Sequence, residues 1–219
     1  MWLVPATAAL ALATMVYRPA WRVARHVITI AHEAGHAGVA LLTGRRLRGI
    51  RLHSDTSGLT VSVGRPTGPG MIATVLAGYP APSLVGLGYA ALLAIDRVTL
   101  LLWLTVGLLG LLLIAIRNLY GGFAVVTTGG AVFAVSWFGT PLLQSGFAYF
   151  ITWFLLLGAV WPVFEMQRAR RRRSYGRPAV DSDADQLARL TGIGALFWVL
   201  LFAGFALGAA VLGGRWLLW

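Results

Sequence analysis

His32 and His36 lie four residues apart on either side of Glu33, in the segment His32-Glu33-Ala34-Gly35-His36. On a helix, residues at this spacing share a face, so two imidazoles can bind one metal ion. A glutamate next to the first histidine can then act as a general base toward a water molecule at that metal. The spacing therefore predicts a catalytic metal site, with His32 and His36 as ligands and Glu33 as the base.

The rarity of these residue types favours a true site over an incidental pattern. The chain has four histidines and two glutamates, and three of these six residues fall within five consecutive positions. The flanking residues, 27–31 and 37–42, are apolar apart from Thr29. Ionisable residues inside a membrane-like segment are costly, and they are usually functional.

The elements that must position this site are membrane helices. Hydrophobic residues make up 58% of the chain and charged residues 11%, with a mean hydropathy of +0.77. Soluble domains have about 25% charged residues. The composition therefore predicts an all-α polytopic membrane protein, organised as a single membrane-embedded domain over residues 1–219. The chain has no cysteine, which excludes disulfides, thiolate metal ligands and thiol catalysis.

Six to seven transmembrane helices are predicted, because a spanning helix needs about 17–25 apolar residues. The candidate spans are 1–17, 26–43, 71–94, 98–116, 119–138, 147–165 and 190–213. The first resembles a signal peptide but lacks a basic start, so we expect it to be retained. The fifth contains Thr127, Thr128, Gly129 and Gly130, which indicate either close helix packing or a re-entrant break.

The net charge of +11 comes from arginine alone, because the chain has no lysine. With seven spans, thirteen of the eighteen arginines fall on one side of the membrane, and the positive-inside rule makes that side cytoplasmic. We therefore expect a bacterial plasma-membrane protein with its N-terminus and active-site side in the cytoplasm. The arginine run 168–173 is interpreted as a topology anchor on anionic lipid, and nucleic acid is not an expected partner.

Two segments are not membrane-like. Residues 47–63 contain two alternating runs around a turn-rich Asp-Thr-Ser-Gly, which predicts a β-hairpin directly after the metal-motif helix. Residues 166–188 are basic and then acidic, which predicts a cytoplasmic loop.

A catalytic zinc site commonly has three protein ligands, so one more is needed. His26 is six residues from His32 and faces elsewhere, and His53 in the hairpin is possible. Glu165 is our first expectation for the third ligand, because it ends an apolar span on the same side as His36. Asp183 is the alternative, although it also suits a helix start and could instead orient an imidazole.

The segment 32–46 followed by a hairpin resembles the site-2 protease-like intramembrane metallopeptidases. Residues 77–82, Ala-Gly-Tyr-Pro-Ala-Pro, are similar to that family's segment after the hairpin. The family's second motif is matched in part by residues 158–165, where Pro162 is present and Glu165 stands in place of the aspartate ligand. Residues 182–184, Ser-Asp-Ala, resemble an element of a compact, divergent branch, and no PDZ-like or CBS-like domain fits the length.

The resemblance implies a zinc (Zn²⁺) metalloendopeptidase that cleaves a transmembrane protein substrate in or near its membrane segment. Glu33 would then be the general base, with zinc on His32, His36 and a carboxylate. The hairpin edge is a candidate for pairing with an unwound substrate. Two alternatives remain: a non-catalytic metal-binding scaffold, and a zinc-dependent hydrolase of a lipid or small amphiphile. The sequence indicates neither the oligomeric state nor the substrate.

Overall fold

The computed structural model describes residues 2–174 and 181–219, and it shows a helical protein with one small hairpin. Its elements, in chain order, are α1 Leu3–Val16, α2 Arg18–Leu42, β1 Arg46–Leu52, β2 Gly58–Val63, α3 Pro69–Leu76, α4 Pro80–Ala94, α5 Val98–Ala115, α6 Leu119–Phe138, α7 Pro141–Gly158, α8 Val160–Ser174, α9 Asp183–Thr191 and α10 Ala195–Leu218. This architecture confirms the predicted fold class.

Four helices among the described residues are long and apolar enough to cross a membrane, or up to six spans if each of two bent pairs counts as one. One bent pair is α1 and α2, which meet at 106°, and the other is α3 and α4, which meet at 64°. The six-span count agrees with the lower end of the prediction. Residues 119–138 form the continuous helix α6, so they contain no re-entrant break.

The predicted loop 166–188 is largely helical in the structure. The α8 helix continues the preceding span to Ser174, and α9 begins at Asp183. Residues 175–180, which include Arg177, one of the thirteen arginines expected on the cytoplasmic side, lie outside the described residues. The predicted span 190–213 begins too early, because Gly192 ends α9 in the left-handed conformation and α10 starts only at Ala195.

The packing places α2, the metal-motif helix, between the hairpin and the α3–α4 pair. The α4 helix packs on α7 and α10, α1 runs along α7, and α5 pairs with α6. The large core between these helices includes Phe154, Leu156 and Trp21. A second, smaller cluster joins α8, α9 and α10 through Met166, Leu187 and Phe202.

The hairpin is fixed to the helices along β1. The antiparallel strands pair Leu52 with Gly58 and Ile50 with Thr60. On the outer side of β1, the Ile50 carbonyl accepts a hydrogen bond from the Arg117 N–H, and the Asn118 side chain bonds both main-chain groups of Leu52. Among the described residues, no main-chain group outside the hairpin bonds to β2. The outer edge of β2 therefore has no strand partner among the described residues.

Candidate metal centre and active site

The two histidines of the motif converge as their spacing predicts. Their Nε2 atoms are 3.0 Å apart. The Nδ1 of His36 lies 2.7 Å from the Thr74 carbonyl oxygen, which can only accept, so Nδ1 carries a proton and Nε2 is the nitrogen that the neutral ring could offer to a metal. Because α3 ends at Leu76, the Thr74 carbonyl lies in its last turn, where carbonyls lack helical partners. The break between α3 and α4 therefore helps to orient His36.

Asp183 completes a group of three candidate ligands. Its Oδ2 lies 3.3 Å from Nε2 of His32 and 3.3 Å from Nε2 of His36. This oxygen is buried, and no hydroxyl or amide among the described residues donates to it. Burial alone would raise the pKa of Asp183, but the neighbouring imidazoles lower it well below its ordinary value, so the carboxyl group is ionised beside them.

The local sequence explains why Asp183 faces the histidines. Ser182 is the N-cap of α9 and forms a capping box with Asp185, whose carboxylate also binds Arg170 at 2.9 Å. The cap function is therefore performed by Ser182 and Asp185. Asp183, at the first helical position, is left to point toward the histidines of α2.

The three atoms fit a zinc ion. Zn²⁺ binds nitrogen and oxygen ligands at about 2.0–2.2 Å, so tetrahedral neighbours lie roughly 3.3 Å apart. The three atoms are separated by 3.0, 3.3 and 3.3 Å. Two imidazoles and one carboxylate match the donor set of catalytic zinc sites, which keep one position open. Among the described residues, these three side chains are the group whose ligand atoms lie close enough together to hold a metal ion.

Glu33 is held beside this group by the second strand. Its side chain is buried, with a relative exposure of 4%. Thr60 of β2 donates its hydroxyl to Oε2 of Glu33 at 2.6 Å. A Cβ added at Gly58 would lie 2.5 Å from Oε1, so only glycine lets the strand approach the carboxylate this closely. The hairpin therefore positions the candidate base.

A pocket of about 180 Å³, lined in part by polar side chains, lies beside His32 and Glu33. His32 and Glu33 line it together with Arg25, Tyr79 and Pro162. The ring of Tyr79 meets the His32 ring edge-on at 4.8 Å. The pocket is large enough for water and for a peptide group beside Glu33.

Gly78 is a second close approach that the site requires. A Cβ at this position would lie 2.4 Å from Nε2 of His36 and 2.7 Å from Cε1 of His32. Gly78 belongs to the break between α3 and α4, and a larger residue there would occupy the space between the histidines. The segment 77–82 thus acts in packing against the imidazoles.

The structure does not bring Glu165, our first expectation for the third ligand, to the two histidines. Its Oε2 lies 2.8 Å from Nη2 of Arg25, and this ion pair joins α8 to α2. The pair also corrects the arginine count, which placed Arg25 on the side of the membrane opposite to Glu165. Because α2 already begins at Arg18, Arg25 lies at the level of Glu165.

The other histidines are also elsewhere. His26 binds the hydroxyl of Tyr120 at 2.7 Å, and exposed His53 lies near Ser57 in the hairpin turn. Sequence reasoning missed Thr60 and Thr74. The one available signal was weak: Thr60 alternates with the apolar residues of β2 and so shares a face with Gly58.

Fold and site together indicate a multi-pass helical membrane protein with a group that could bind a metal next to a buried glutamate. The sequence model of the Peptidase M50B-like family matches residues 5–213, and the chain therefore belongs to this family of site-2 proteases. The resemblance seen in the sequence is thus confirmed, and the family indicates an intramembrane metalloprotease. No curated protein and no solved structure matches the chain.

Proposed function

We propose that the protein is a zinc metalloendopeptidase that hydrolyses a peptide bond in or near a transmembrane segment of a protein substrate. The observation that carries this proposal is the convergence of His32, His36 and Asp183 on one point beside buried Glu33. Membership of a peptidase family supports the reaction class.

The residues of the chain perform defined parts of the reaction. Zinc, when bound by His32, His36 and Asp183, supplies a Lewis acid that activates water and polarises a carbonyl. Glu33 accepts the proton of the attacking water and donates it to the leaving amine. Thr60 donates a hydrogen bond to Oε2 of Glu33 and so fixes the orientation of the carboxylate. The burial of Glu33 keeps this transfer in a low-dielectric environment.

The substrate segment must be extended at the site, because a helix hides its peptide bonds. The unpaired edge of β2 lies next to Glu33, which supports strand addition as the binding mode. An extended hexapeptide should therefore inhibit cleavage, whereas the same peptide with a central proline should not. Equal inhibition by both peptides would contradict strand addition.

Zinc measurement tests the site directly. We expect about one zinc per chain in the purified wild type, loss of zinc in His36→Ala and Asp183→Asn, and retention in Glu165→Gln, whose carboxylate pairs with Arg25. Glu33→Gln should retain zinc but should not cleave fluorescein-labelled casein or a membrane substrate. Zinc lost from Glu165→Gln and retained in Asp183→Asn would reverse the ligand assignment.

We also propose that the chain lies in the bacterial plasma membrane with the hairpin on the cytoplasmic side, as the arginine distribution indicates. The absence of cysteine makes labelling unambiguous. A single cysteine in place of Ser54, in the hairpin turn, should react with an impermeant maleimide only after the cells are opened. Reaction in intact cells would place the hairpin outside.

The structure does not favour the lipid hydrolase alternative. An apolar cavity of about 300 Å³ lies against the face of α2 that carries Ala31, Ala34 and Gly35. None of His32, Glu33 and the other candidate site residues lines it. A lipid chain in this cavity would therefore be separated from the site by α2 itself.

A further inference from the structure

A second groove, between α8 and α10, combines an apolar wall with two arginines at one end. Its volume is about 290 Å³. The apolar wall is formed by Val163, Phe164, Leu196, Val199, Leu200 and Ala203. Arg168 and Arg171 line it where α8 leaves the apolar part of its span. The groove is distinct from the metal centre, because it shares no lining residue with the pocket at Glu33.

The arginines of α8 have different environments on the two sides of the helix. Arg170 binds Asp185 of α9, and it also donates a hydrogen bond to Gln167 of its own helix. Arg168 and Arg171 are exposed toward the groove. Among the described residues, no carboxylate pairs with either guanidinium. Two adjacent guanidinium groups without an acidic partner favour an anionic ligand with oxygen acceptors, such as a phosphate.

The depth of the groove in the membrane indicates which chemical group fills its apolar part. The α7–α8 candidate span, Pro141–Arg171, has 31 residues and is about 46 Å long at the helical rise. This exceeds the hydrocarbon core of about 30 Å, so the Arg171 end reaches the headgroup layer. At the mouth, Phe164, Leu196 and Leu200 are exposed. The two arginines at the headgroup end of the groove fit a lipid phosphate. The exposed apolar side chains, which lie nearer the hydrocarbon core, fit the acyl chain of the same lipid.

We propose that this groove binds one anionic phospholipid, with its phosphate on Arg168 and Arg171 and an acyl chain between α8 and α10. Val163 and Val199 line the groove and also belong to the small cluster that contains Ala184 and Leu187 of α9. The bound chain therefore supports the helix that carries Asp183. This links the lipid to the metal centre, and that link alone rests on the proposed function.

The experiment uses the full chain in detergent, titrated with phosphatidylglycerol or with phosphatidylcholine of the same acyl chains, and counts bound lipid by native mass spectrometry. We expect one tightly bound phosphatidylglycerol and weaker binding of phosphatidylcholine. Each basic residue at an anionic surface contributes about fivefold in affinity, so the double substitution Arg168→Gln/Arg171→Gln should weaken phosphatidylglycerol binding about 25-fold. Ala203→Trp fills the groove and should weaken both lipids while both arginines remain.

The matched control removes the same charge elsewhere: Arg46→Gln/Arg48→Gln changes two exposed arginines of the hairpin. This control should bind the lipid like the wild type. An equal loss in the control would show diffuse surface charge and overturn the proposal, as would equal affinity for the two lipids. If inorganic phosphate alone raised the thermal unfolding temperature of the protein as much as phosphatidylglycerol does, the proposal would also be overturned. The apolar groove would then play no part in binding.

Discussion

Replacing Thr60 with valine tests the role of the hairpin in catalysis. Valine has nearly the shape of threonine, so the substitution removes the 2.6 Å hydrogen bond to Glu33 and little else. Hydrogen bonds to charged groups contribute about 1.5–3 kcal/mol. If that energy holds the carboxylate in its reactive position, the barrier rises by the same amount, and kcat falls about 10- to 150-fold. KM should change little, because Thr60 holds the base rather than the substrate.

The assay is the hydrolysis of fluorescein-labelled casein in detergent, with zinc content measured on the same preparations. Thr60→Ser retains a hydroxyl and should recover most of the lost rate, which a role limited to packing would not predict. Zinc content should be unchanged in both variants, because Thr60 contacts no candidate ligand. Wild-type kcat in Thr60→Val, with zinc bound, would refute the argument that the strand positions the base.

Three further outcomes follow from contacts near the site. Gly78→Ala should lose zinc, since its Cβ would lie 2.4 Å from an imidazole nitrogen. The control Gly88→Ala, in α4, adds a Cβ that meets no atom within 4 Å and should keep the metal. Metal analysis of the two purified variants checks both outcomes. For Asp185, burial tends to raise the pKa, but hydrogen bonds from the N-cap serine and an arginine of α8 outweigh this effect and lower it. The carboxylate therefore adds stability above its unfolded pKa of about 4 that is lost as pH falls further; Asp185→Asn should abolish this acid dependence in thermal unfolding, and an unchanged profile would contradict it. The partly exposed pair of Arg25 and Glu165 should show a coupling energy below about 1 kcal/mol in a double-mutant cycle, and a larger value would show that the pair is less screened than its exposure indicates.

Much of the fold follows from local signals in the sequence. The apolar runs 98–116 and 119–138 correspond closely to α5 and α6, because spanning helices need only length and hydropathy. The hairpin was predicted at 47–63 and lies at 46–63, since alternation and turn residues are also local. The two bends were not predictable in the same way. A hydropathy pattern does not reveal that 71–94 turns by 64° at Gly78.

The residues of the candidate site also differ in whether a local sequence pattern predicts them. His32, Glu33 and His36 are within one turn of one helix, so their spacing alone indicates their shared chemistry. The choice of a third candidate ligand depends on how distant helices pack, which the sequence alone does not show. In the structure, Arg25 pairs with Glu165, and Ser182 and Asp185 form the cap for which Asp183 was also suited. Both are tertiary or side-chain facts that a linear pattern does not contain.

The position of Asp183 in chain order has a consequence for biogenesis. Among the residues that the structure describes, eight helices and the hairpin precede α9, so the ribosome completes most of the chain before the third proposed ligand emerges. A nascent or prematurely terminated chain holds only the two histidines, which leaves the proposed metal without its anionic ligand. If Asp183 is the third ligand, such a chain would enter the membrane without a complete metal site. The order of synthesis would thus delay proteolysis until the helices have assembled.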